Sequence, residues 1–182
     1  HNLFFLSLFS IIPALWIVYV MNKWTAGNLS GKIQKSGSYM LMTSGLFTGA
    51  AIVLRMDMLM CLFIVLALYT FYKLYTGMAK TRDRFLLPLY IFLAVFSKGP
   101  VGFIVPLCSI VTFLLVKKEI RHFTRYMGWK QWCLLLGLCF LWFGAVYAEG
   151  GKSYLDNLLF HQTINRAIDS FHHQAPFWYY FT

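Results

Sequence analysis

Charged side chains lie at two points where one apolar run of this sequence almost directly meets the next. Arg55 and Asp57 form the first group, and Lys98, followed by Gly99 and Pro100, forms the second. Charges beside long apolar segments are costly, and they are commonly paired or functional. Arg55 and Lys98 could therefore bind phosphate or sugar hydroxyl groups, with Asp57 orienting Arg55. The plainer alternative is two tight turns whose charged side chains simply extend to the membrane interface.

A third polar group follows the last apolar run, in residues 149–182. Between Tyr154 and Ile168 the apolar residues recur at helical intervals, which predicts a helix lying on the membrane surface. Arg166 would lie on the polar side of this helix with His161 nearby.

Histidines and aromatic residues end this tail. His161, His172 and His173 could bind a metal, but their spacing is not that of a typical metal site, so a divalent metal is left open. The aromatic run at 177–180, which includes Tyr179, is typical of an interfacial belt at the beginning of a further span.

The composition places all three groups in a membrane protein. The chain has 182 residues, of which 59% are hydrophobic and only 12% are charged. Soluble domains have about 25% charged residues, so this chain has too few to coat a soluble core. The formal charge of +10 is distributed between apolar runs, which argues against nucleic acid binding. Because the sequence begins at His1 and ends within an aromatic run, we interpret it as an internal part of a longer protein.

The predicted fold is an all-α, polytopic bundle, because backbone groups in lipid must bond within their own helix. Two predicted spans, the fourth (85–97) and the fifth (101–116), are shorter than the roughly 20 residues that a span needs. Their ends are therefore expected in a protected site or a thinned region of the bilayer. We predict a polar connection at 22–37, a bundle over residues 1–148 and a periplasmic tail over 149–182. The six predicted spans are 3–20, 38–54, 58–75, 85–97, 101–116 and 131–148.

The distribution of charge predicts the orientation of the spans. The connections at 21–37, 73–84 and 117–130 carry twelve basic residues, whereas the opposite side carries four, at Arg55, Lys98, Lys152 and Arg166. Short connections rich in Lys and Arg stay cytoplasmic. The three polar groups are therefore predicted to emerge together on the periplasmic side, and the cytoplasmic connections are interpreted as topological anchors.

Three short stretches resemble motifs of one family of enzymes. The segment Val53-Leu54-Arg55-Met56-Asp57-Met58-Leu59-Met60 resembles the "AR.D.LL" junction of bacterial membrane glycosyltransferases with the GT-C fold. These form the protein O-mannosyltransferase and aminoarabinose (lipid A) transferase superfamily. Phe96-Ser97-Lys98-Gly99-Pro100-Val101-Gly102 resembles its "LTKGP" element. Asn165-Arg166 and the stretch from Phe171 to Tyr180 resemble its "R…HK.PFWYY" loop.

The resemblance implies transfer of a sugar from a polyprenyl-phosphate carrier to a lipid, protein or glycan acceptor at the bacterial inner membrane. Arg55, Lys98 and Arg166 would then stabilise charge on the lipid phosphate. The donor carries its energy in the phosphate ester, so no cofactor is required. The family's catalytic carboxylate is expected upstream of His1, and Asp57 is not assigned that role.

Two other interpretations stay open at this point. The chain could belong to a polytopic transporter or flippase that binds anions in an outward vestibule, which an inverted repeat would support. It could also belong to a structural subunit without chemistry.

Overall fold

The computed structural model describes residues 3–53 and 56–156, with side chains from residue 8 to 53 and from 56 to 151. Within these residues the regular structure is helical, as predicted. The helices are α1 (Leu3–Thr25), α2 (Gly31–Thr43), α3 (Gly45–Ile52), α4 (Asp57–Tyr75), α5 (Asp83–Lys98), α6 (Val101–Val116), a 3₁₀ turn (Ile120–His122), α7 (Phe123–Tyr126) and α8 (Trp129–Asp156).

Three of the described helices are long and apolar enough to cross a membrane. The apolar stretches are Leu8–Thr25, Asp57–Tyr75 and Trp129–Gly151, and α6 is a shorter apolar helix. A hydrocarbon core of about 30 Å needs about 20 helical residues, so these lengths are compatible with a membrane protein.

The second predicted span differs from the structure. Instead of one helix over 38–54, the chain forms α2 and α3 with a break at Ser44, whose backbone is extended (φ −62°, ψ 120°). A side-chain hydrogen bond spans the break, because the Thr48 hydroxyl in α3 donates to the carbonyl of Met42 in α2 at 2.7 Å. Serine followed by Gly45 favours such an interruption, since both are weaker helix formers than the apolar residues around them.

The polar stretch at 22–37 was predicted as a connection, and this was wrong for most of its length. Helix α1 continues to Thr25 and α2 begins at Gly31. Polar side chains join the two helices: Gln34 Nε2 donates to the carbonyl of Asn22 at 2.5 Å, and Ser38 Oγ donates to Asn22 Oδ1 at 2.7 Å. These contacts satisfy polar groups between helices, so polarity there does not require a loop.

Helices α1 and α4 lie side by side and run parallel. Ala14 and Ile17 pack with Met58 and Leu62 near the beginning of α4. The ring of Trp24, near the end of α1, lies 5.7 Å from Tyr69 and 5.6 Å from Tyr72 near the end of α4. The chain between the two helices therefore returns toward the end at which α4 begins.

Helices α4 and α5 run antiparallel and pack against α6. Each has an aspartate in its first turn and a lysine in its last turn. This placement complements the helix dipoles, whose positive ends favour anions and whose negative ends favour cations. The buried core around them is apolar and consists of Ala67, Phe71, Leu87, Ile91, Ile110, Leu114, Tyr126, Met127 and Leu135.

The last helix begins close to the predicted sixth span and extends further. Helix α8 runs to Asp156 across a kink at Gly151, where φ is 66° and ψ is −176°. Only glycine adopts such a backbone without strain. The contacts divide the chain between Leu136 and Gly137 into two units. The proposed surface helix at 154–168 overlaps α8 for three residues and otherwise lies outside the described residues.

Candidate functional site: an exposed ion pair where α4 begins and α5 ends

Asp57 and Lys98 are brought together by the antiparallel packing of α4 and α5. Lys98 Nζ donates to Asp57 Oδ1, and the two residues are 41 positions apart in the sequence. The Lys98 side chain is 53% exposed and the Asp57 side chain is 26% exposed. Two of the three predicted polar groups are therefore joined directly, and their pair is open to the surroundings.

A rigid turn holds Lys98 in this position. Gly99 has a φ of 81° and a ψ of −150°, and its N–H donates to the carbonyl of Val95 at 2.6 Å. Glycine permits this conformation, and Pro100 then begins the turn into α6, as the sequence indicated.

Gly102 is a further determinant of the turn that the sequence reasoning missed. A Cβ at Gly102 would overlap the carbonyl group of Ala94 and approach the N–H of Val95 at 2.6 Å. Residue 102 must therefore be glycine for α6 to pack closely against α5. A glycine in the first turn of an apolar helix was the available signal.

Arg55 lies outside the described residues, so the predicted pairing of Arg55 with Asp57 stays a prediction. The described partner of Asp57 is Lys98. Arg166, His161, His172, His173 and Tyr179 also lie outside the described residues, and their predicted roles stay predictions.

The chemistry available at the described pair is binding of an anion. A lysine ammonium carries three N–H donors, and Asp57 engages it through one oxygen. An exposed pair of this kind is weak, so a phosphate can compete with the carboxylate for the cation. Asp57 also keeps the lysine close to the beginning of α4.

The opposite end of the α4–α5 pair carries a second ion pair, which the sequence reasoning missed. Lys73 Nζ lies 3.0 Å from Asp83 Oδ1, and the Lys80 backbone N–H donates to Asp83 Oδ2 at 2.8 Å. The Asp83 side chain is only 3% exposed. The signal was present in the sequence, because both helices begin with aspartate and end near a lysine.

The surroundings of Asp83 favour its charged form. Burial alone would raise the pKa of Asp83, but the hydrogen bond from Lys80 and the hydrogen bond and charge of Lys73 outweigh it, so this pKa lies below its ordinary value. The connection at 73–84 therefore contains a packed ion pair, and its interpretation as a topological anchor stays a prediction.

The described part of the chain contains no cluster of three or more His, Cys, Asp or Glu side chains that could hold a metal ion. An apolar hollow on α1 is lined by Ile12, Leu15, Trp16 and Tyr19, and it includes neither Asp57 nor Lys98.

No protein-family model matches the chain, and no curated protein and no solved structure matches it. The candidate site accordingly stands on the geometry of Asp57 and Lys98 and on the motifs in which these residues occur.

Proposed function

We propose that this chain forms the donor-binding side of a membrane glycosyltransferase with a GT-C-like bundle. The enzyme transfers a sugar from a polyprenyl-phosphate carrier to a lipid, protein or glycan acceptor at the periplasmic face of the bacterial inner membrane. One observation carries the proposal: Asp57 and Lys98, which belong to two separate resemblance motifs, meet in one exposed pair.

In the proposed reaction the carrier phosphate is the leaving group. Negative charge grows on its oxygens as the bond to the sugar breaks, and a fixed cation beside them stabilises that charge. Lys98 supplies such a cation at the end of α5, and Asp57 keeps it in place until the donor phosphate binds. Arg55 and Arg166 are proposed to join Lys98 around the same phosphate.

The parallel packing of α1 and α4 supports one crossing of the membrane between them, as the proposal of six spans requires. Two parallel helices that both cross a membrane enter it from the same side, so the chain between them must cross the membrane back. Within α2 and α3, residues 38–52 follow the basic Lys32 and Lys35 and extend over roughly 22 Å at about 1.5 Å per residue. We therefore propose that they form one broken span, with Asp57 and Lys98 on the side opposite the basic connections.

The test is a transfer assay on the purified full-length protein in liposomes, supplied with polyprenyl-phosphate mannose or polyprenyl-phosphate aminoarabinose. Replacing Lys98 by glutamine removes the proposed phosphate contact. A hydrogen bond to a charged group contributes about 1.5–3 kcal/mol, so kcat/KM for the donor should fall about 10- to 100-fold. Lys98→Arg should retain part of the activity, since the charge remains.

Lys80→Gln is the matched control, because the side chain of Lys80 is exposed at the opposite end of the α4–α5 pair. It removes the same charge and should leave transfer unchanged. Equal loss in both variants, or full activity of Lys98→Gln, would contradict the role of Lys98. Movement of the carrier lipid across the bilayer without transfer of its sugar would favour a flippase instead.

A further inference from the structure

The connection between α6 and α8, residues 117–130, has one face buried in the core. Tyr126 is 7% exposed and Met127 is 1% exposed. The Tyr126 ring lies 5.3 Å from the ring of Phe71, nearly edge-on, and 6.4 Å from that of Tyr75. This packing fixes the connection against α4, so its outward side chains are presented from a defined backbone.

The end of α6 directs the first cations outward. Glu119 N–H donates to the carbonyl of Leu114 at 2.8 Å, and Lys118 N–H donates to that of Leu115 at 2.9 Å. This pair of bonds is the Schellman arrangement, which requires a left-handed residue, and Lys118 adopts it with a φ of 59°. Lys117 and Lys118 are both exposed as a result.

The outward face of the connection is basic. Arg121 and Arg125 are exposed and four residues apart, whereas Tyr126, the neighbour of Arg125, is buried. Glu119 is the one acidic residue between 117 and 130. The connection carries five exposed cations: Lys117, Lys118, Arg121, Arg125 and Lys130.

The position of the connection determines what these cations meet. Apolar helices flank it on both sides, since α6 ends at Val116 and the apolar stretch of α8 begins at Trp129. A short connection between two such helices lies at the level of the lipid headgroups. Trp129 is 83% exposed there, and tryptophan is the residue typical of that level.

We propose that residues 117–130 form a binding surface for the phosphate groups of anionic phospholipids. Clusters of four to eight Lys and Arg beside a membrane helix attract such headgroups. Because Tyr126 and Met127 are buried, they hold the backbone of the connection in place and keep its cations at the level of the headgroups. This surface is separate from the pair of Asp57 and Lys98, and the proposal does not depend on the proposed enzymatic function.

The experiment places a fluorophore on Thr124→Cys, an exposed position beside Arg125, in the full-length protein with its native cysteines, four of which lie in this chain, replaced by alanine. The protein is reconstituted in phosphatidylcholine that contains either phosphatidylglycerol or phosphatidylcholine spin-labelled near the acyl carbonyl. The anionic quencher should quench several-fold more strongly than the zwitterionic one. High salt should reduce this preference.

Arg121→Gln/Arg125→Gln should lower the preference to roughly half or less of its original value, because two of the cations that attract the anionic headgroups are removed. Arg121→Lys/Arg125→Lys should retain it, since the charges remain. Lys32→Gln/Lys35→Gln removes two exposed charges from α2 and should leave quenching at residue 124 unchanged.

Equal quenching by both lipids in the unaltered protein would overturn the proposal. A preference that survives Arg121→Gln/Arg125→Gln would also overturn it. If the lipids quench equally and polyglutamate shifts the fluorescence instead, the surface serves an acidic polypeptide and not a lipid.

Discussion

The two ends of the α4–α5 pair carry the same kind of contact in two different environments. At one end Asp83 is 3% exposed and Lys73 is 25% exposed. At the other end Asp57 is 26% exposed and Lys98 is 53% exposed. Both pairs join an aspartate in the first turn of one helix to a lysine in the last turn of its neighbour.

The partners of each carboxylate differ as well. Asp83 accepts hydrogen bonds from Lys73 and from the Lys80 backbone, and the Lys73 ammonium also lies 5.3 Å from the centre of the Tyr69 ring. A buried carboxylate with this many partners stabilises one arrangement and is costly to disturb. Lys98 has an exposed ammonium, which can exchange Asp57 for another anion. The buried pair of Lys73 and Asp83 is therefore suited to stabilising the fold, whereas the exposed pair of Lys98 and Asp57 is suited to binding an anion.

The largest effect on stability is expected at Gly102, where α6 packs against the backbone of α5 near Lys98. Gly102→Ala would place a Cβ against the carbonyl group of Ala94, and neither backbone can yield without separating α5 from α6. We expect a loss of about 3 kcal/mol in the free energy of unfolding, measured by denaturant titration in detergent.

Gly137→Ala is the control, because a Cβ there meets nothing within 4 Å. Alanine in place of a glycine inside a helix should be neutral or stabilising by up to about 1 kcal/mol. Equal stability of the two variants would show that α5 and α6 are not in close contact at Gly102.

The next effect concerns the buried pair. Asp83→Asn removes the charge that offsets Lys73 and weakens two hydrogen bonds, so we expect a loss of about 2–3 kcal/mol. The same denaturant titration measures it. Reduction of the loss by a second substitution, Lys73→Met, would support the pairing, since the unpaired cation would be gone. Independent, additive losses would contradict it.

Acid should weaken the buried pair in a defined range of pH. The pKa of Asp83 is lower in the folded protein than its ordinary value, so its contribution is complete above about pH 3.9 and declines as the pH falls through the folded value. The difference in melting temperature between the unaltered protein and Asp83→Asn should therefore be constant near neutrality and shrink in acid. A difference that disappears already near neutral pH would contradict the lowered pKa.

The sequence predicted α4, α5 and α6 to within two residues at each end, because charges, glycine and proline bound each apolar run. It did not predict the break at Ser44. There the extended ψ angle of Ser44 separates α2 from α3, and the Thr48 hydroxyl donates a hydrogen bond across the break. The helical structure around Gln34 was also missed, since its hydrogen bond to Asn22 exists only in the folded protein.

The candidate site could be predicted in part. Charge counting placed Asp57 and Lys98 on one side, but it could not choose their partners, because pairing depends on how α4 and α5 pack. The pair of Lys73 and Asp83 was missed, although the aspartate at the beginning and the lysine near the end of both helices are visible in the sequence. Its residues were counted as topological charges, and nothing in that count distinguishes an exposed lysine from a half-buried one.

The smallest effect is expected at the exposed pair. Asp57→Asn should change the free energy of unfolding by less than about 1 kcal/mol, because exposed ion pairs contribute little and salt screens them. Unfolding in low and high salt checks this: the small effect of Asp57→Asn should vanish in high salt, whereas most of the effect of Asp83→Asn should persist. A loss at Asp57 as large as that at Asp83 would mean that both ends serve stability. In that case Lys98 would not be available to a phosphate without unfolding the end of α5.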